Sequence, residues 1–163
     1  MYIILQNNVS VCINIPDNYK NFVSFVKLDI SSIYCIQMND SFKIKGTYDT
    51  PAVNFEPKKG MFEISGRSLP QNSIDFYSPI LDKITDYMKS PQTITKFEFK
   101  MEFVNSSSTK IFQEIFYELN KAHQNGTKIQ VKWYYKFGDD DMKELGDDLR
   151  MYTAIPFEFV AFE

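Results

Sequence analysis

Residues 96 to 135 hold the pattern that most narrows what this chain can fold into. Phe97, Phe99, Met101 and Phe103 alternate with Lys96, Glu98, Lys100 and Glu102, the period of a strand with one face buried. A polar run, Asn105-Ser106-Ser107-Ser108-Thr109, follows. Then Ile111, Phe112, Ile115, Phe116, Leu119 and Ala122 fall at helical spacing and form a broad apolar face. Asn125-Gly126 is a left-handed helix stop. Ile129, Val131, Trp133 and Tyr135 alternate again. A strand, a helix and a strand in this order make a parallel pair joined by a right-handed crossover.

The flanking segments extend that unit. Phe42 to Lys45 alternates and ends at Gly46. Val53 to Glu56, the turn Pro57 to Gly60 and the strand Met61 to Ser65 form a hairpin, and 66–72 is expected to be a loop. From Ser73 to Lys89, Ile74, Tyr77, Leu81, Ile84 and Met88 are spaced as one helix face. Pro79 requires either a helix start at Ser78-Pro79 or a kink. Ser90-Pro91-Gln92 breaks that helix. Gly138 and three aspartates lead into a short helix with Met142, Leu145 and Leu149, and Pro156 precedes a last strand, 157–162. The expected fold is α/β: a mixed, largely parallel sheet with an antiparallel N-terminal hairpin and about three helices.

Residues 1 to 37 differ in character, with few charges and both cysteines, Cys12 and Cys35. Val9, Val11, Ile13 and Ile15 alternate as a strand, Pro16-Asp17-Asn18 is a turn, and Phe22 to Leu28 fits either a helix or a strand. This segment is either a genuine extension or an artefact of the reading frame, with Met38 as the natural initiator. The regulatory domain proper is expected over 38–163.

Composition excludes several classes of function. A net charge of −3 provides no basic stripe for nucleic acid. The two cysteines are too few and too isolated for a zinc site or a disulfide framework. The start has no basic n-region, and no stretch approaches the ~20 apolar residues that span a bilayer, so a cytoplasmic protein is expected. Glycine-rich phosphate loops, HExxH, CxxC and GxSxG are all missing. His123 lies near the end of the second helix, where closing the helix is its simpler role. Asp139, Asp140, Asp141, Glu144, Asp147 and Asp148 lack EF-hand spacing and fit a solvated acidic helix. Neither a catalytic set nor a metal or other cofactor is expected.

The run from Asn105 to Thr109 stands where a strand ends and a helix opens. Asn and Ser satisfy the free backbone donors of a helix start. The same position tolerates a phosphoserine, whose roughly two negative charges suit the positive end of a helix.

Several blocks resemble the SiaC family of bacterial regulatory phosphoproteins: DTPAV (49–53), FEISGRSLPQN (62–72), FYSPILD (76–82), FVNSSSTK (103–110), WYY (133–135), DDDM (139–142) and PFEF (156–159). They agree in kind, order and spacing from Met38 to Phe162. More distantly the layout is similar to STAS domains of the anti-anti-sigma-factor type, though Ser108 stands where those usually have glycine. The resemblance implies a STAS-like fold and a phosphorylated hydroxyl directly after Asn105, hence Ser106, with Ser107, Ser108 and Thr109 as alternates. Asn105, Ser107 and Ser108 are candidates for partner contact. It also implies a kinase of the histidine-kinase-like ATPase type, a PP2C-like phosphatase and a downstream effector. In the characterised branch the unphosphorylated form activates a diguanylate cyclase, raising cyclic-di-GMP and promoting biofilm formation. The rival readings are a constitutive interaction module using the acidic third helix, and a hydrolase built on Ser106 and His123.

Overall fold

The computed structural model describes residues 41–163 in full and the backbone of two earlier strands, Tyr2–Gln6 (β1) and Val9–Ile13 (β2). The chain divides into two units, residues 1–34 and 35–163. In the first, β1 and β2 pair antiparallel with Tyr2 opposite Ile13, so the alternating Val9, Val11 and Ile13 do form a strand. Ile15, the turn at Pro16 to Asn18, the stretch Phe22 to Leu28, Cys35 and Met38 lie outside the described residues.

The second unit has six strands: β3 (Phe42–Ile44), β4 (Ala52–Glu56), β5 (Met61–Ser68), β6 (Ile94–Val104), β7 (Lys128–Lys136) and β8 (Phe157–Phe162). Three helices join the last four, α1 (Ser73–Tyr87), α2 (Ser106–Gln124) and α3 (Asp140–Arg150). The strands lie in sequence order in one sheet; β3, β4 and β5 pair antiparallel, and β5 to β8 pair parallel. Successive right-handed crossovers in one direction put all three helices on one face. The burial pattern agrees. Phe62, Ile64, Phe97, Phe99, Val131 and Trp133 are buried, whereas Glu63, Glu98, Lys100 and Lys132 between them are not.

The core is an aromatic row under the helices. Phe55 stacks on Phe62 at 3.8 Å between ring centroids, and Phe62 on Phe97 at 4.2 Å. Phe99 lies 5.7 Å from Trp133 and 5.2 Å from Phe116 of α2. Such cross-strand aromatic pairs each add about 0.5–1.5 kcal/mol beyond area burial. The opposite face carries an ionic lattice. Lys100 bridges Glu63 and Glu98, and Lys132 pairs with Glu158.

Four local expectations are corrected. Residues 66 to 68 are not loop, because β5 continues to Ser68. The helix-start alternative at Ser78-Pro79 fails, because α1 runs through Pro79 from an Asn72 cap; Pro79 is exposed, and the carbonyl its missing N–H would have bonded belongs to exposed Asp75. The buried face of α1 is Ser73, Tyr77, Ile80, Ile84 and Tyr87, with Ile74 67% exposed. Polar Ser73 and exposed Pro79 concealed this rotation from the hydrophobic pattern. Last, Gly66 pairs with Met101 but Arg67 with Phe103, so Glu102 is an extra residue in β6. This bulge turns Phe103 off the helix face and onto the open face, 42% exposed.

Candidate functional site

Asn105 anchors the point where β6 becomes α2. Its N–H donates to the Ser68 carbonyl at 2.9 Å, which extends the pairing of β5 and β6 by one bond. Its backbone is extended, and its side-chain Oδ1 accepts from the Ser108 N–H at 2.8 Å. Its carbonyl accepts from the Thr109 N–H at 2.9 Å and from Thr109 Oγ1 at 3.1 Å. The N-cap is therefore the asparagine, and Ser106, Ser107 and Ser108 are the first three helical residues.

These four hydroxyls meet different fates. Ser106 and Ser107 are exposed. Ser106 lies in line with Lys110, Gln113 and Tyr117, at helical spacing on the crest of α2 opposite the buried stripe. Thr109 is half-buried and tied to Asn105. Ser108 is fully buried, which removes it both as an alternate modification site and as a partner contact. Its Oγ accepts from Ser68 Oγ at 2.8 Å, and Ser68 Oγ lies 2.6 Å from the Tyr77 hydroxyl. Because Ser68 gives its one proton to Ser108, the Tyr77 hydroxyl is the donor to Ser68. Burial pushes the Tyr77 phenol above its ordinary range, against the opposing pull of these two serines. This chain of three hydroxyls joins β5, α1 and α2 behind the exposed serines. Sequence spacing did not disclose it, since Tyr77 counts as an apolar residue in a helix pattern.

The other candidates separate from this place. His123 is near the far end of α2, roughly 25 Å from Ser106 at 1.5 Å per residue, so the two cannot share a proton. Its Nδ1 lies 3.1 Å from the Thr127 carbonyl. The helix ends there with Gly126 at φ 99°, its N–H on His123 O, and the Thr127 N–H on Ala122 O. In the acidic segment, Asp139 Oδ1 accepts from the Met142 N–H, and Asp147 pairs with Lys143 and Arg150. Among the described residues no group of three His, Cys, Asp or Glu side chains could hold a metal ion. No helix among them is long and apolar enough to cross a membrane.

Beside the crest of α2 lie exposed apolar side chains. Tyr117 is 65% exposed, Met151 83% and Tyr152 53%. Gln113 Nε2 donates to the Tyr152 hydroxyl at 3.2 Å, so α2 and the end of α3 share one surface. Nothing in the spacing of Met151 and Tyr152 joined them to Ser106.

A family model described as "SiaC family regulatory phosphoprotein" matches residues 44–162. The chain belongs to the SiaC family. Its second unit is also similar to solved structures of SiaC family members. SiaC of Pseudomonas aeruginosa is 26% identical with a TM-score of 0.71, the match covering 76% of this chain and 99% of that one. A structure of the diguanylate cyclase SiaD in complex with its activator SiaC, from the same bacterium, matches with 26% identity and a TM-score of 0.71, over 74% of this chain and 99% of that one. An uncharacterised protein of P. aeruginosa strain UCBPP-PA14 is 27% identical over 120 residues, 74% of this chain and 95% of that protein. The family match runs from the end of β3 through β8 and includes the three helices, and the sequence blocks from DTPAV to PFEF all fall within the matched residues.

Proposed function

We propose that this protein is a non-catalytic cytoplasmic signalling component in which reversible phosphorylation of Ser106 controls binding to an effector. The observation that carries the reading is the exposed Ser106 hydroxyl on the first helical residue of α2, in line with Gln113 and Tyr117. A phosphoryl group there adds between one and a half and two negative charges at a helix N-terminus, which favours them. The fold has no reason to change. A docked partner does, because the added charge would have to be desolvated or matched, and about 1.4 kcal/mol of mismatch weakens a complex tenfold. By likeness to the SiaD–SiaC complex, the effector is a diguanylate cyclase, and in this reading the unphosphorylated form is the one that binds it. A histidine-kinase-like kinase adds the phosphate and a PP2C-like phosphatase removes it.

The capping observations support this reading over a serine run that merely closes a helix. Asn105 supplies the cap and Ser108 the buried contact, so Ser106 and Ser107 serve neither purpose. The test is intact-mass measurement after incubation with the cognate kinase and ATP. Wild type should gain one phosphate, and Ser106→Ala none. A full phosphate on Ser106→Ala would move the site to Ser107 or Thr109. Effector binding unaffected by phosphorylation would leave a constitutive interaction module instead.

A further inference from the structure

On the open face of the sheet the cations Lys100 and Lys132 are matched to carboxylates, and Lys43 and Lys96 extend into solvent. Arg67, on the same face at the C-terminal end of β5, is matched to none among the described residues. Its guanidinium carbon instead lies 4.9 Å from the centroid of the Tyr48 ring and 5.4 Å from that of Phe103. Its Nε is sealed from solvent with no hydrogen-bond partner. The terminal nitrogens are then the donors left to a ligand.

This arrangement is built by the fold at two points. Without the extra residue at Glu102, Phe103 would face the helices and leave Arg67 without that ring. Tyr48 is carried by the β3–β4 connection, where the Thr47 N–H donates to the Thr50 carbonyl and the Leu69 N–H to the Asp49 carbonyl. Tyr48 is 76% exposed, so its position over Arg67 is a surface contact and not core packing. Two aromatic rings holding a guanidinium in place reduce the conformational freedom it must lose on pairing. A positive, planar donor set within an aromatic rim is the composition of an interface anchor.

We propose that Arg67, Tyr48 and Phe103 form a carboxylate-binding site that takes an Asp or Glu side chain of a partner protein. Charge selects the occupant: the one guanidinium present lacks an acid, and end-on pairing through two terminal N–H groups fits a carboxylate. The site lies on the face of the sheet opposite α2, so it stands or falls independently of phosphorylation at Ser106.

The Nε–Hε signals of Arg67 and of the other arginine, Arg150, provide a test with an internal reference. Arg150 is exposed, already paired with Asp147, and 5.6 Å from the Phe159 ring. The full chain, labelled with nitrogen-15, is titrated with a blocked peptide bearing a single Glu flanked by leucines. The Arg67 signal should move and saturate at a concentration at least tenfold below that which moves Arg150. The matching Gln peptide should leave it in place, and Tyr48→Ala should weaken the response at least threefold with the fold intact. Signals that move together, an unmoved Arg67 signal, or saturation by inorganic phosphate at lower concentration than by the Glu peptide would each overturn the proposal.

Discussion

Asn105 is the residue on which the local geometry turns. It ends the β5–β6 pairing, caps α2 and fixes which serine faces solvent. Its replacement by alanine should cost about 1 kcal/mol by chemical denaturation, the usual loss for a cap. Ser106→Ala should leave stability within ~0.5 kcal/mol, since no hydrogen bond holds that exposed side chain. A third prediction concerns Tyr77. Its folded-state phenol titrates above the ordinary tyrosine range, so its contribution is complete at neutral pH, where both states hold the proton. Above about pH 10 the unfolded chain releases that proton first, and stability falls as pH rises. Tyr77→Phe should lose roughly 1 kcal/mol at neutral pH with the hydrogen bond to Ser68, yet show a shallower decline in thermal stability above pH 10. An identical alkaline slope in both proteins would contradict the assignment. The position of Ser106 was legible as a strand–helix junction. The burial of Ser108 two residues later was not, because it depends on Ser68 and Tyr77 arriving from other elements.

At the scale of elements, α3 shows how closely a helix can be set on a sheet. Its Gly146 is buried and internal. It lies within α3, where an added Cβ would come within 2.7 Å of the Trp133 ring and 2.8 Å of Phe159. Trp133 also donates from Nε1 to the Met142 carbonyl at 2.8 Å, which fixes the ring beneath the helix. Gly146→Ala should therefore destabilise the protein by about 1–3 kcal/mol despite the higher helix propensity of alanine, as overpacking does. A denaturation midpoint equal to or above wild type would show that α3 can shift outward without loss. The strong alternation of β6 gave its existence and its inner face as far as Met101. It could not give the bulge, since an extra residue at Glu102 leaves the residue types in the same order while reversing which side they take.

At the scale of the second unit as a whole, sheet order and helix placement divide the described surface into two kinds. One side presents the crest of α2 with Ser106, Tyr117 and the adjoining Met151 and Tyr152. The other is the open sheet face, with its ion pairs, exposed Lys43 and Lys96, and Arg67. A phosphoryl group on Ser106 would add charge at a helix N-terminus and touch no core residue. The phosphorylated protein should keep its far-ultraviolet circular dichroism and melt about 1–4 °C higher, while its affinity for the effector drops. A lower melting temperature with lost helix signal would mean that the phosphate acts by unfolding α2 and not by altering a surface.

The sequence alone determined the alternation of strands and helices, the parallel character of the sheet, and a hydroxyl-rich junction at the head of α2. Each of these is written in short-range periodicity, where hydrophobic spacing and backbone preferences operate within a dozen residues. Tertiary structure decided which serine is sealed, which face of α1 is inward, how closely Gly146 must approach Trp133, and that Phe103 and Arg67 share a side. Those outcomes follow from atoms brought together across distant segments, and close packing resolves them only when every neighbour is in place.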